Sequence, residues 1–157
     1  MTANIRFEPF TKDNWEDGLK LQVDPSQKKF APSVAESLAA AYIKPWDEAL
    51  DPYIIYNGET MVGCFYLSYT PGSADNYWIG GFIIDRQHQR RGLGKASLKE
   101  ILRFVGKMHP NCREVRLTVK KDNTVAQGLY KSLGFGDTGR VNKYDEIIYT
   151  MSVTPIE

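Results

Sequence analysis

Cysteine and histidine are both scarce in this chain, which holds two of each. Cys64 and Cys112 have neither CxxC spacing nor neighbouring histidines, which excludes a zinc cluster and predicts reduced, buried thiols. His88 and His109 flank turns with no third ligand nearby, and they read as exposed side chains without a role. Long apolar runs are lacking too. None approaches the ~20 residues of a membrane span, and the N-terminus carries no apolar signal core, so a soluble, cytoplasmic protein is expected. Charge of one sign is also missing, since 20 Lys+Arg against 19 Asp+Glu leave a net +1. That balance argues against a nucleic-acid partner held by phosphate neutralisation.

What the chain does have is an ordinary globular composition, 42% hydrophobic and 25% charged. Its 157 residues are close to one domain of roughly 150. Residues 1–157 are therefore expected to form a single domain around one core.

Hydrophobic periodicity orders the elements. Ile5 and Phe7 alternate with polar neighbours as in a strand, and a short helical pattern follows through Trp15 and Leu19. After the break at Asp24–Pro25, Ser33 and Glu36 have capping-box spacing ahead of a helix carrying Val34, Leu38, Ala41 and Tyr42, which Pro45 ends. Two runs, 53–56 and 61–67, flank Asn57–Gly58, a pair that readily takes the positive φ angles of a hairpin turn. Tyr77–Ile84 is apolar throughout and predicts a central strand buried on both faces. Leu98, Ile101, Leu102 and Val105 then mark an amphipathic helix from near Gly92 to about Met108. Val115, Leu117 and Val119 alternate as a strand, and Ala126, Leu129, Tyr130 and Leu133 form a helical stripe between an Asn123 cap and Gly134. Lys143 to Val153 predicts a last antiparallel strand.

The segment with chemistry in it joins the central strand to the strong helix: Gln89, Arg90, Arg91, Gly92, Leu93, Gly94 and Lys95. Two glycines and several backbone amides at a helix N-terminus, with three cations and no acid, suit an anionic ligand such as a phosphate. The familiar phosphate loops do not fit. A P-loop needs glycine where Gln89 stands, and a dinucleotide fingerprint needs it at Ser97.

The remaining pattern, Gln-x-x-Gly-x-Gly after a strand and before a helix, resembles the acyl-CoA pyrophosphate loop of the GCN5-related N-acetyltransferase (GNAT) family. Downstream, Asn123-x-x-Ala126-x-x-Leu129-Tyr130 with Gly134-Phe135 is similar to that family's later cofactor-binding helix. The resemblance runs over about residues 3 to 153 in element order. It implies an α/β (α+β) fold, a mixed, mostly antiparallel splayed sheet flanked by helices, and acetyl-CoA as co-substrate. It also implies pantetheine held by the backbone of Phe82, Ile83 and Ile84, and cofactor contacts from Asn123, Ala126, Tyr130 and Lys131. No metal is called for, and the resemblance is compatible with a homodimer.

The implied reaction is direct attack of a neutral amine on the thioester. Tyr130 matches the family tyrosine that assists the departing thiolate. A tyrosine near pKa 10 facing a thiol near 8.5 makes full proton transfer uphill by roughly 2 kcal/mol, so hydrogen bonding comes first. Bringing an amine of pKa near 10.4 to its neutral form at pH 7 costs on the order of 4–5 kcal/mol. Many relatives carry a glutamate for this on the central strand, where this chain has Tyr77, Trp78 and Ile79. A water chain ending near Asp75 or Glu36 is the expected replacement.

Residues 27–33, with Ser37–Ala40 and Pro45, are similar to bacterial spermine/spermidine (diamine) N-acetyltransferases. A polyamine acceptor calls for carboxylates and aromatic faces, which Tyr42, Trp46, Asp47, Glu48, Asp51 and Glu59 could supply; the same carboxylates also suit a solvated loop edge. Three competing expectations stand beside a small amine. They are a protein or peptide amine acceptor, a non-catalytic acyl-CoA sensor, and a nucleotide enzyme, the last disfavoured by the failed phosphate loops.

Overall fold

A computed structural model of the chain describes residues 3–153. Seven strands form one sheet in the order β1-β2-β3-β4-β5-β7-β6. In chain order they are β1 (Ile5–Pro9), β2 (Ala49–Asn57), β3 (Thr60–Tyr69), β4 (Tyr77–Ile84), β5 (Glu114–Val119), β6 (Gly136–Val141) and β7 (Ile147–Ser152). Every pairing is antiparallel except β4 with β5. The helices are α1 (Trp15–Gly18), α2 (Val34–Ile43), α3 (Leu93–Met108) and α4 (Thr124–Leu133), with a 3₁₀ turn at Pro25–Phe30.

Two cores lie on opposite faces of the sheet. Leu98, Ile101 and Val105 of α3 and the stripe of α4 pack with Phe65, Leu67 and Leu117. On the other face Leu21 and Val34 cover Cys64 and Ile83. The Ser33–Glu36 capping box is formed, and α2 stops at Lys44, whose left-handed conformation (φ 52°) ends it one residue before Pro45. Asn123 caps α4 and Gly134 (φ 103°) closes it.

Three sequence expectations shift. The hairpin loop is Gly58–Glu59 rather than Asn57–Gly58: Asn57 pairs with Thr60, and its side chain instead accepts the Asn4 amide at 2.9 Å. Of the two loop residues only Gly58 has positive φ. The strand expected from Lys143 starts at Ile147, because 142–146 is a turn in which Asn142 Oδ1 accepts the amides of Tyr144 and Glu146. The exposed edge strand β6, polar and rich in glycine, gave no sequence signal. β4 is central but not buried throughout: Tyr77 and Ile79 are buried in one core and Ile83 in the other, while Trp78 and Phe82 are half-buried.

That half-exposure has a cause in the sheet. β4 and β5 pair only at Trp78 and Arg116, and beyond that point the strands diverge. Opposite β3, the register slips between Cys64–Ile83 and Tyr66–Gly80, a bulge at Gly81, whose φ is +57°. The divergence and the bulge together open a passage through the sheet.

Candidate active site

Two cavities meet at this passage. One, of about 200 Å³, is lined by Leu98 and Tyr130 on the α3/α4 side and by Phe30, Pro32 and Tyr66 on the other. The second, of about 440 Å³, is walled by Trp46, Glu48, Ser68, Asn76, Trp78 and Tyr144. Tyr66, Ile79, Gly80, Thr118 and Glu146 line both. A ligand reaching from one helix layer and another reaching from the opposite face would touch at these five residues.

Gly80 and Gly81 make the passage possible. A β-carbon at Gly80 would lie 2.2 Å from Tyr66 Cζ, and one at Gly81 would lie 2.7 Å from Ser37 Oγ. The Tyr66 ring therefore lies directly on the strand, and Trp46 stacks on it at 6.3 Å. Tyr130 packs against Phe135 and Tyr149 at 5.9 and 6.1 Å. Its hydroxyl has no hydrogen-bond partner among the described residues, and burial pushes its pKa up to about 12.

A third cavity, of about 500 Å³, lies at the start of α3 and includes Ile84, Gln89, Arg90, Gly92, Leu93 and Gly94. Gly92 sits in the left-handed region (φ 74°) as the N-cap, and no side chain caps the helix. The first-turn amides thus carry no side-chain cap among the described residues, and they stand in the positive field of a 16-residue helix. Arg90 is also left-handed (φ 64°), which bends the loop around the cavity. Gln89 fixes it from below: its Nε2 donates to the Ile84 carbonyl and to Gln27 Oε1, each at 2.9 Å.

The structure gathers some of the sequence-predicted residues and separates others. Phe82 and Tyr130 share the small cavity. Ile84, Gln89, Arg90, Gly92, Leu93 and Gly94 share the loop cavity, Leu93 through its backbone, since its side chain is buried in the core. Arg91 and Lys95 are exposed beside the loop, while Asn123, Ala126 and Lys131 line none of these three cavities. Asn123 Oδ1 is spent on the Ala126 amide, and Ala126 packs on the core. Of the backbone expected for pantetheine, the Ile83 carbonyl is turned toward Gly63, where a β-carbon would meet it at 2.2 Å. The Ile84 carbonyl is taken by Gln89. Phe82, beside the bulge, lines the small cavity together with Gly80 and Gly81.

Other expectations are corrected. Asp75 is exposed and reaches Arg116 at 3.9 Å, and Glu36 is spent in the α2 capping box, so neither lies at the passage. Residues 27–33 border the small cavity through Phe30, Ala31 and Pro32 and the loop cavity through Gln27. Of the polyamine candidates only Trp46 and Glu48 line the larger cavity. Tyr42 and Glu59 are exposed elsewhere, and Asp51 accepts from the Tyr69 hydroxyl at 2.6 Å. The histidines are half-buried rather than exposed, His109 resting on the rings of Tyr69 and Tyr77 at 4.5 and 5.4 Å. Glu146, Tyr66 and Thr118 were missed, and no local pattern marks them.

The chain thus combines a splayed α/β sheet, an uncapped glycine-flanked helix start after the central strand, and a half-buried tyrosine at the split. Residues 15–135 match the acetyltransferase (GNAT) family, and the chain belongs to it. It is 26% identical over 147 residues to the spermine/spermidine N(1)-acetyltransferase of Bacillus subtilis, covering 88% of this chain and 92% of that protein. The crystal structure of spermidine N-acetyltransferase from Vibrio cholerae in complex with CoA and spermine superimposes with TM-score 0.70 at 16% identity, covering 95% of each chain. A GNAT family acetyltransferase from Elizabethkingia anophelis with acetyl-CoA bound gives TM-score 0.67 at 19% identity, covering 96% of this chain and 99% of that one. No helix among the described residues is long and apolar enough to cross a membrane.

Proposed function

We propose that the protein transfers an acetyl group from acetyl-CoA to a primary amine of a small di- or polyamine by direct attack. The observation that carries this reading is the passage through the sheet. It brings the cavity holding Tyr130 against an aromatic, carboxylate-bearing cavity on the opposite face.

In this reading the α3 amides and Arg90 hold the pyrophosphate, and the Phe82 backbone orients the pantetheine arm. The amine nitrogen attacks the thioester carbon, the N–C bond forms and the C–S bond breaks. Glu146, the carboxylate lining both cavities, takes the proton released by the nitrogen. Tyr130 donates a hydrogen bond to the departing sulfur. With its pKa pushed up to about 12, full proton transfer to a thiolate of reference pKa 8.5 is uphill by roughly 5 kcal/mol. It therefore stabilises the thiolate and keeps its proton. The likeness to the Bacillus subtilis spermine/spermidine enzyme supports the acceptor class.

The test is CoA release from acetyl-CoA with spermine, spermidine, short diamines, amino acids and lysine peptides, with product masses recorded. Acetylated polyamine is expected. Acetylated peptide without acetylated polyamine would move the acceptor to proteins, and cofactor binding with no product would make the chain a sensor.

A further inference from the structure

The larger cavity holds a carboxylate without a counter-cation. Glu48 Oε2 accepts from Ser68 Oγ at 3.0 Å and Oε1 from Asn76 Nδ2 at 2.9 Å. Both donors are neutral, and Glu48 forms no ion pair with any described residue. The carboxylate is nevertheless held firmly. Asn76 is itself fixed by accepting from Trp78 Nε1 at 2.9 Å and donating to Thr70 Oγ1 at 2.8 Å, and Ser68 is buried. Among the described residues the one cation lining the cavity, Lys143, rests over the Tyr144 ring at 5.1 Å and pairs with neither Glu48 nor Glu146. An oriented anion between aromatic walls, partly removed from water and unpaired, is a site that a cation completes.

Its distance from the passage is set by the sheet register. Ser68 stands opposite Trp78, and Tyr66 stands opposite Gly80, so the Glu48 anchor is two residues along both strands from the junction. Two strand residues span roughly 7 Å. A saturated chain advances about 1.2 Å per bond, so the five bonds between the nitrogens of a four-carbon diamine span about 6 Å.

We infer that Glu48 binds the far ammonium of a diamine whose near nitrogen lies at Gly80 and Glu146, and so selects diamines over monoamines. This rests on the small-amine acetyltransferase reading. Glu48 acts on specificity and takes no part in the proton transfer.

The experiment compares 1,4-diaminobutane with n-butylamine, which has the same carbon chain and lacks the second nitrogen. Two readouts are taken for wild type, Glu48→Gln and Glu48→Asp: kcat/KM for acetylation, and the Kd of each amine for protein saturated with CoA. Wild type is expected to favour the diamine on the order of 10–100-fold, the worth of a hydrogen-bonded charge. In Glu48→Gln that ratio should fall to near unity, with the change in KM rather than kcat. Glu48→Asp keeps the charge but withdraws it by one methylene, so the preferred diamine should lengthen to five carbons. A wild-type ratio near unity, or a ratio unchanged in Glu48→Gln, overturns the inference. If the diamine binds selectively through Glu48 yet no amine is acetylated, the anchor stands and the reaction reading falls.

Discussion

The ring of Tyr66 lies on Gly80 so closely that a β-carbon there would come within 2.2 Å of Tyr66 Cζ. Strand and ring form one wall shared by both cavities of the passage.

Gly80→Ala should therefore displace Tyr66 into the passage. The ring has open space to move into, so the cost in stability should stay near 1–3 kcal/mol, the range for mild overpacking. The KM for the amine should rise by on the order of tenfold or more. Thermal melts and initial rates at saturating acetyl-CoA check this together, and an unaltered KM would show that Tyr66 does not bound the acceptor path.

Gly92→Asp should weaken acetyl-CoA binding on the order of 100-fold by placing a carboxylate where the pyrophosphate is proposed to lie. The apo protein should barely change. The left-handed φ of +74° penalises any side chain, whereas an acid at a helix N-terminus is favourable, and the two effects oppose each other at about 1 kcal/mol apiece. Calorimetry with acetyl-CoA and a melt without it separate the two.

Tyr130→Phe should lower kcat about tenfold while leaving the Kd for acetyl-CoA nearly unaltered. Because burial holds the hydroxyl protonated to about pH 12, the kcat–pH profile from pH 6 to 10 should keep its shape in the variant. A descending limb present in wild type and absent in Tyr130→Phe would show that the tyrosine ionises during turnover.

Cys64 predicts an alkaline stability change. Burial raises its thiol pKa from 9.0 to about 12, so the folded state keeps the proton that the unfolded chain releases. The stabilisation is complete below pH 9 and is lost as pH rises toward 12, by up to roughly 4 kcal/mol. Urea titrations of Cys64→Ala should show a flatter decline over that range than wild type, from a lower starting stability set by the small cavity left behind.

Much of this molecule was legible in its sequence where the signal is local. The α3 periodicity, the Ser33–Glu36 box, the Asn123 and Gly134 caps and the loop from Gln89 to Gly94 all appear where expected. Less was legible where a residue's role depends on a distant partner. Gln89 fits the loop motif, but its reach to Ile84 and Gln27 does not follow from its spacing. Asn57 looks like a turn residue until the pairing with Thr60 puts it inside the strand.

The sequence by itself determined the order of the helices and of every strand but β6, and the glycine-flanked helix start, since periodicity, caps and backbone permissiveness act within a few residues. The tertiary structure alone decided where the site opens. β4 and β5 pair at a single position, Gly81 bulges, and side chains as far apart in sequence as Glu48, Tyr66, Tyr130 and Glu146 come to line one passage. Long-range strand pairing fixes those proximities, and no local pattern encodes them.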